Sequence, residues 1–422
     1  MKIATEPQAT ERGRRRERER ERWGDGAPLL LSVSLPLSSS LWLCGSVANS
    51  LHTVVMNHIR RLTGEDIPAV AALFHKVHLA NDASTPKSSL AAISAEFEEI
   101  FLRNPWRDEN PHSLVCVDGN GAILGFIGVT PRKMNIKGRP VVAAVSAHLM
   151  LDPGGRTELA GMRLLQRFLS GPQELSIADF ANDIGRKVWD RLGGKLSHIQ
   201  SLQWVKLLRP GAYAMSSVEG KFRSLRRFSP VTRQLCRLSD ALLARMAPGR
   251  FRFSDSDLIS TELDDETLLA LISRFSALNS LRPEYDLLSL SWLIKRAEKI
   301  NRRGDLRKVA LRDASGAIAG WYLYYLNSGG SSEVLQLCAH AASVGAVLDH
   351  LFHHAWSNGS ALISGRLEPQ LLPALSGRKC YLNCGPPWVM IHARNLEILH
   401  AVERGDVFLS KLDGEWCTSY RA

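Results

Sequence analysis

The residues best suited to chemistry follow the apolar run Val141–Leu151, where Arg156 and Gly161 precede the helical pattern Met162–Leu169. Unpaired N–H groups at the beginning of a helix, together with the helix dipole, form a site for phosphate. Arg156 adds a charge-assisted contact, and Gly161 allows the backbone to approach a ligand closely. We therefore predict that the turn 156–162 binds the phosphates of a cofactor. The alternative is an ordinary surface turn before an amphipathic helix.

A second pattern continues this unit. The predicted strand Glu174–Phe180 leads to Asn182, a favourable N-cap residue, and the helix that Asn182 opens ends at Gly193, a favourable stop. Trp189 lies on this helix. A further long strand is predicted over Ser197–Arg209. The stretch is therefore expected to fold as alternating strands and helices around one binding turn.

Together these patterns resemble the cofactor-binding half of the GNAT superfamily of acyl-CoA-dependent acyltransferases. The turn of that family, R/Q-x-x-G-x-G/A, is matched by Arg156 and Gly161, with Leu159 at the place of the first glycine. The second motif of the family, N-x-x-A-x-x-F-Y-x-x-L-G-F, is matched at the spacing of Asn182 and Trp189. The resemblance implies that acetyl-CoA or another acyl-CoA is the co-substrate.

The resemblance also implies which residues contact the cofactor. In GNAT enzymes a backbone N–H of the central strand polarises the thioester carbonyl. The residues expected at the cofactor are Leu149, Met150, Leu151, Arg156, Leu159, Gly161, Met162, Asn182 and Trp189. Trp189 stands where many GNAT enzymes have a tyrosine that protonates the departing thiolate, and an indole cannot supply that proton.

Acyl transfer to an amine also needs a general base. The candidates in the same half of the chain are Glu96, Glu98, Glu99 and His148. Most surface carboxylates are merely solvated, and a histidine on a central strand is more often a core residue than a base. The identity of the catalytic residue therefore stays open.

Composition excludes some partners and leaves others. The net charge of +11 would permit binding to nucleic acid or an anionic membrane, but no nucleic-acid motif is present and DNA is not expected.

The seven cysteines are scattered, which favours buried thiols in a reducing, cytoplasmic compartment over a zinc site at Cys380 and Cys384. His350 and His354 have helical spacing but no visible third ligand, so no metal is expected.

Residues 1–55 differ from the rest of the chain. An Arg/Glu run is expected to be disordered or a lone charged helix, and the apolar stretch 29–48 resembles a secretory signal. Its serines and Pro36 argue against a transmembrane anchor. We interpret Met56 as the natural start and the preceding segment as a non-native extension, with export after signal cleavage as the alternative.

Four segments are predicted along the chain. After the extension 1–55, residues 56–209 form a GNAT domain with the acyl-CoA site, 210–255 a basic helical connector, and 256–422 a second, degenerate GNAT-like domain. The second half repeats the order of hairpin, central strand and helix but lacks the R/Q-x-x-G-x-G turn. The predicted fold class is α+β (α/β), with two GNAT-like domains, each a mixed, mostly antiparallel sheet flanked by helices.

This layout resembles tandem-GNAT proteins, including FemAB-type aminoacyl transferases. The function predicted is an acyl-CoA-dependent N-acyltransferase that acts on a small-molecule amine such as an amino sugar or amino acid. A catalytically silent protein that binds acyl-CoA or an acceptor, and a FemAB-like aminoacyl transferase, are the alternatives. The oligomeric state is left open.

Overall fold

A computed structural model describes residues 58–79, 89–154, 158–221, 238–240, 242–243, 245–247, 251 and 253–415. The strands in chain order are β1 His58–Arg61, β2 Leu114–Val117, β3 Ile123–Ile136, β4 Arg139–Leu151, β5 Leu175–Ala181, β6 Lys195–Leu196, β7 Leu202–Leu207, β8 Ile259–Glu262, β9 Leu281–Pro283, β10 Asp305–Arg312, β11 Ile318–Leu326, β12 Ser331–Ala339, β13 Leu362–Arg366, β14 Tyr381–Cys384 and β15 Trp388–Ala393. The helices are α1 Ile67–Phe74, α2 Leu90–Phe101, α3 Glu158–Leu169, α4 Asp183–Arg191, α5 His198–Ser201, α6 Pro210–Lys221, α7 Asp265–Phe275, α8 Leu287–Glu298, α9 Val344–Ser357, α10 Leu372–Gly377 and α11 Leu396–Glu403.

The strands form two sheets of the same design. The first has the order β1-β2-β3-β4-β5-β15-β6, with β9 paired to β3, and the second has the order β14-β7-β13-β12-β11-β10-β8. Within each sheet one pair is parallel, β4 with β5 and β12 with β13, and the other pairs are antiparallel. The mixed, mostly antiparallel α+β class predicted from the sequence is confirmed.

The two sheets exchange strands between the halves of the chain. β7, from the first half, lies between β13 and β14 in the second sheet. β15, from the second half, lies between β5 and β6 in the first sheet. The predicted domain boundaries at 209 and 256 separate two parts of the sequence. They do not separate the two sheets, because each sheet contains strands from both parts.

The local rules explain most element boundaries. The β3–β4 hairpin turns at Lys137 and Gly138, which have φ angles of 50° and 90°. The side chain of Ser89 caps α2 by accepting a bond from the N–H of Ala92 at 3.1 Å.

The predicted long strand over 197–209 is wrong, because α5 interrupts it. There the backbone N–H of Ser201 donates to the carbonyl of Ser197 at 3.1 Å, the hydrogen bond that closes one turn of an α-helix.

Helices cover both faces of each sheet. On the first sheet, α3 and α4 pack over one face through buried residues such as Leu164 and Trp189, and α1 and α2 pack over the other through Val70 and Phe97. On the second sheet, α9 covers one face and α7 and α8 the other. These layers fix the directions in which the side chains of β4 and β5 point.

Candidate functional site

The parallel pairing of β4 and β5 stops short of the carboxyl ends of both strands, and we call the place beyond the last pair the cleft. The two strands pair in parallel only from Ala143 to Val145 on β4, and beyond that point they separate. β4 stays paired with β3 on its other edge as far as Leu151, and β5 stays paired with β15 as far as Ala181. Among the residues that the structure describes, the edge of β4 beyond Val145 that faces the cleft has no strand partner, so its backbone polar groups point into the cleft.

The central strand carries a β-bulge at the opening. Ala147 lies opposite Gly128 and Met150 opposite Phe126, so His148 and its successor share a single opposing residue. His148 adopts a left-handed conformation with φ of 52°. Non-glycine residues seldom adopt this conformation, and bulges of this kind re-aim side chains next to binding sites. The bulge was not predicted from the sequence.

Pairing with β3 fixes the direction of the β4 backbone beyond the bulge. The N–H of Asp152 donates to the carbonyl of Leu124 on β3 at 2.9 Å. Because successive residues of a strand point to opposite edges, the N–H of Leu151 faces the cleft. The side chain of Leu149 is 39% exposed, whereas Met150 is buried in the core beneath α1 and α2. Of the three β4 residues that the resemblance places at the cofactor, Leu149 and Leu151 therefore border the cleft, and Met150 does not.

The helix at the end of the cleft begins earlier than the sequence pattern indicated. α3 starts at Glu158, so Leu159, Gly161 and Met162 are helical and do not belong to the predicted turn. Arg156 lies outside the described residues. A Cβ added to Gly161 would lie 2.7 Å from Cδ1 of Leu151. The glycine thus allows α3 to pack closely on β4, which differs from the ligand approach expected of it.

Lys76 contributes a charge beside the same turn that the sequence did not reveal. Its Nζ lies 2.7 Å from Oδ1 of Asp152, and that oxygen also accepts the N–H of Gly154 at 2.7 Å. The lysine, by its hydrogen bond, holds the pKa of Asp152 below its usual value. No sequence signal links Lys76 to the turn, because the fold alone brings α1 next to β4.

The second motif lies on α4 as predicted. The side chain of Asn182 caps the helix by accepting the N–H of Gly185 at 2.7 Å. Trp189 is 3% exposed, and its ring lies edge-on to Phe168 with a centroid separation of 6.2 Å. The bulk of the indole therefore packs α4 against α3.

Exposed apolar side chains surround the opening. They come from the ends of β4 and β5 and from the first turns of α3 and α4, and we call them the cleft rim: Leu149, Leu159, Phe180 and Ile184. Leu159 and Ile184 are 70% and 74% exposed. Clustered apolar side chains that remain exposed are typical of binding surfaces. The rim suits the apolar parts of an extended ligand.

The opposite face of β5 meets residues from the second half. Asp179 pairs with Arg366 at 3.0 Å and accepts the N–H of Glu415 at 2.7 Å. Nearby, Nε of Arg132 donates to the carbonyl of Asp413 at 3.3 Å, and the hydroxyl of Tyr285 donates to the Asp413 carboxylate.

Burial raises the pKa of Asp413. We call Arg132, Asp179, Tyr285, Arg366, Asp413 and Glu415 the central polar cluster. The residues after 256 in this cluster were not foreseen, because nothing local in the sequence places them at the first sheet.

The carboxylates considered as general bases are engaged elsewhere. Glu98 pairs with Arg103 at 2.5 Å, and Glu99 accepts the indole N–H of Trp292 at 3.1 Å. Glu96 pairs with Arg296 on α8. His148 alone among the four candidates lies on the strand that borders the cleft.

His148 is partly exposed, and its ring lies among aromatic side chains of α1 and α2. The centroid distances are 5.4 Å to Phe74 and 5.5 Å to Phe97. His148 therefore lies on the strand that borders the opening, in a rare backbone conformation and packed against α1 and α2.

The corresponding opening of the second sheet is occupied by the chain itself. β12 and β13 pair only from Ser331 to Glu333 on β12. Beyond them, the N–H of Lys411 donates to Leu335 at 3.0 Å, and Nη1 of Arg366 donates to the carbonyl of Ser410 at 3.3 Å. A ligand that entered as in the first sheet would have to displace this segment.

The histidines of α9 bond to tyrosines. Nδ1 of His350 lies 2.9 Å from the hydroxyl of Tyr322, and Nδ1 of His354 lies 2.6 Å from that of Tyr324. Among the described residues, no group of three histidine, cysteine, aspartate or glutamate side chains could hold a metal ion. In the same residues, no helix is both long and apolar enough to cross a bilayer.

Solved structures share this fold. No protein-family model and no curated protein matches the sequence. A GCN5-related N-acetyltransferase from Anabaena variabilis ATCC 29413 superposes with a TM-score of 0.53 at 10% identity, over 82% of this chain and 75% of its own. A conserved protein of unknown function from Enterococcus faecalis V583, described as a probable N-acyltransferase, has a TM-score of 0.50 at 11% identity, over 80% of this chain and 73% of its own. The chain thus has the fold of GCN5-related N-acetyltransferases, which confirms the resemblance at the level of fold.

Proposed function

We propose that this protein is an acyl-CoA-dependent N-acyltransferase that transfers an acyl group, most simply acetyl, to the amine of a small molecule. The observation that carries the proposal is the cleft between β4 and β5, with a bulge on the central strand and the beginning of α3 at its end. Likeness to solved N-acetyltransferases supports it through the shared fold.

The cofactor would lie along this cleft. The pantetheine arm would run past the cleft rim, with the thioester carbonyl near the N–H of Leu151. The pyrophosphate would bind at the first turn of α3, where unpaired N–H groups and the helix dipole favour anions. Arg156 and Lys76 would supply the neutralising charges. Asn182 would border the mouth through α4, and Trp189 would support α3 from within the core.

His148 is our candidate for the general base. Its position on the bulge supports this choice, because a thioester bound in the cleft would lie beside it, and its ring packs on the face of the sheet that α1 and α2 cover. The imidazole would take a proton from the acceptor ammonium, and the freed amine nitrogen would attack the thioester carbon. The C–N bond forms, the C–S bond breaks, and the second proton of the nitrogen passes to the departing thiolate. The products are an amide and free CoA thiol, and His148 returns its proton to solvent.

The preorganised geometry supports this assignment. Once thioester and amine are held in line, proximity and orientation supply much of the acceleration, so few side chains are required. General-base help contributes about 10²–10⁴-fold. The N–H of Leu151 would stabilise the oxyanion, a role in which backbone donors are effective because they are fixed in place.

We also propose a cytoplasmic site of action. The cysteines that the structure describes are Cys116, Cys338, Cys380 and Cys384, and all four are free thiols. Free thiols are usual in a reducing compartment.

Acetyl-CoA titrated into the protein by calorimetry, followed by thiol release with a panel of amino sugars and amino acids, tests the function. We expect one acetyl-CoA per chain, because the second opening is filled by residues 410–411, and release of thiol that depends on one class of amine. Binding without release across the panel would favour the silent, acyl-CoA-binding alternative. Absence of binding would refute the proposal.

His148→Asn tests the base, since asparagine tolerates the left-handed conformation. We expect unchanged acetyl-CoA affinity and at least a hundredfold lower turnover, partly restored by free imidazole. Turnover equal to that of the unmodified protein would remove His148 from the mechanism and leave the cleft assignment intact.

A further inference from the structure

The connector between the two halves of the chain presents apolar side chains to solvent. Its residues 238–240, 242–243 and 245–246 are helical, and we call them the connector helix. Leu238, Leu242 and Met246 on this helix are 64%, 57% and 74% exposed. Because they are spaced by four residues, they lie along one side of the helix. We call this side the connector face.

The opposite side of the connector helix is attached to the rest of the protein. The carboxylate of Asp240 accepts the N–H groups of Gly211 and Ala212, at the start of α6, at 2.6 and 3.2 Å. Residues two apart in an α-helix point about 200° away from each other around the axis. Asp240 therefore points away from Leu238 and Leu242, and its bonds to α6 hold these two leucines outward.

Burial along the connector helix follows the same division. Asp240 and Leu243 are half-buried, and so is Ala247, whose N–H donates to the carbonyl of Leu243 at 2.9 Å. A surface helix ordinarily turns its apolar stripe towards the core and its polar side to water. Here an aspartate faces inward and three large apolar side chains face outward. Exposed apolar side chains that are clustered in this way indicate an interaction surface.

The charge of the connector indicates the kind of partner. Residues 210–255 contain nine lysine and arginine residues against three aspartate and glutamate residues. Arg245 lies three residues after Leu242, on the side of the connector face, and is exposed. Apolar side chains on one side of a helix, combined with an excess of basic residues, are typical of helices that lie on anionic membrane surfaces. A second copy of this chain would bring the same positive charge, so charge complementarity favours the membrane.

We propose that the connector face docks on the surface of a membrane that contains anionic lipids. Leu238, Leu242 and Met246 would enter the boundary between headgroups and acyl chains, and Arg245 would contact lipid phosphates. The attachment would be peripheral, since no helix among the described residues is long and apolar enough to cross a bilayer. The proposal does not depend on acyl transfer, because none of these residues belongs to the cleft rim.

Co-sedimentation of the full chain with vesicles tests the lipid requirement. One set of vesicles contains phosphatidylcholine alone, and the other contains phosphatidylcholine with phosphatidylserine. We expect at least tenfold tighter binding to the second set, weakened by added salt because exposed charges are screened. Equal binding to both sets, or binding to neither, would overturn the proposal.

A glutamine variant tests the apolar side chains. Leu238→Gln/Leu242→Gln/Met246→Gln keeps good helix formers at all three positions, and the exposure of these residues predicts an unchanged melting temperature. The matched control changes three leucines on other elements that are 94%, 70% and 63% exposed, as Leu278→Gln/Leu288→Gln/Leu396→Gln. We expect the first variant to bind vesicles with phosphatidylserine at least tenfold more weakly, and the control to bind like the unmodified protein.

A charge reversal tests Arg245 separately and leaves the apolar side chains in place. Arg245→Glu should weaken binding several-fold, whereas Arg274→Glu, at an exposed position on α7, should not. If the glutamine variant binds as tightly as its control, the vesicles are held by another basic part of the chain and the proposal is wrong. A dimer, detected by sedimentation velocity, that the glutamine variant loses while vesicles do not bind would assign the connector face to a second copy and also overturn it.

Discussion

Asp179 and Arg366 form a buried ion pair, 3.0 Å apart, from equivalent positions in the two sheets. Asp179 follows by two residues Ile177, the last residue of β5 that pairs with β4, and Arg366 follows by two residues Ser364, the last residue of β13 that pairs with β12. Each residue thus stands where its own parallel pair begins to separate. The ion pair therefore connects β5 of the first sheet to β13 of the second, at the point where each parallel pair of strands separates.

The first prediction concerns this ion pair. The side chains of Asp179 and Arg366 are 0% and 6% exposed, so either charge would be left buried and unpaired by removal of its partner. We expect Asp179→Asn or Arg366→Met to lower the free energy of unfolding by about 3–5 kcal/mol, measured by urea titration. Glu174→Gln is the control, since its pair with Arg139 is solvent-exposed and should contribute less than about 1 kcal/mol. An equal loss of unfolding free energy in Glu174→Gln and in the Asp179 or Arg366 variants would contradict the description of Asp179–Arg366 as a buried ion pair.

The second prediction concerns the phosphate end of the cleft. Arg156→Glu and Lys76→Glu should each weaken acetyl-CoA binding by at least about 1.5 kcal/mol, the usual value of a charge-assisted hydrogen bond. Calorimetry at two salt concentrations measures this, and the loss should be larger at low salt. Arg274→Glu, on the exposed side of α7, should leave the affinity unchanged. Unaltered affinity in Arg156→Glu would remove the turn from the site.

Trp189 is the subject of the third prediction. The indole does not supply a proton, and the residue is buried against Phe168. Trp189→Phe should therefore leave turnover nearly unchanged and reduce stability modestly, whereas Trp189→Ala should destabilise by about 3–5 kcal/mol through loss of core packing. Thiol-release assays and thermal unfolding separate the two effects. A hundredfold loss of turnover in Trp189→Phe, with fold and acetyl-CoA affinity intact, would make the indole N–H catalytic.

The fourth prediction is a pH dependence at the start of α1. Hydrogen bonds from Arg60 lower the pKa of Asp66 to about 2, with distances of 2.6 and 2.7 Å to its two oxygens. Because the folded pKa lies below the usual value of about 4, the stabilisation is complete above pH 4 and is lost as the pH falls towards 2.

Asp66→Asn should therefore lower stability by about 1–3 kcal/mol at pH 7, and its difference from the unmodified protein should shrink below pH 4. Melting temperatures recorded from pH 2 to pH 7 measure this difference. Asp108→Asn is a suitable control, because that side chain is 92% exposed. A difference that does not depend on pH would mean that Asp66 acts through packing and not through its charge.

The features that the sequence predicted correctly are those that depend on residues close together along the chain. The central strand β4 and the cap of α4 by Asn182 follow from an apolar run and from capping chemistry, which act over a few residues. The GNAT-like fold followed from two motifs in the right order. The early start of α3 was missed because Gly161, a poor helix former, interrupts the helical pattern.

The rest depends on contacts between distant segments. The exchange of β7 and β15 leaves no local signal, since either strand would pair equally well by pattern with its own half. Lys76 reaches Asp152, and the central polar cluster gains Tyr285 and Asp413, only after the layers have packed. The bulge at His148 was also missed, because a histidine in an apolar strand gives no indication of its φ angle.

The exchange of strands has a consequence for synthesis. Chains ordinarily fold domain by domain as they emerge, from the amino terminus onward. Here one edge of β5 has no partner until β15 has been synthesised, so the first sheet cannot be completed before Trp388–Ala393 has been made. At usual translation rates, synthesis of the residues from the end of β5 to the end of β15 takes roughly 10–40 s. Throughout this interval β5 carries an open edge, and the half with the proposed acyl-CoA site is finished only when the other half is nearly complete.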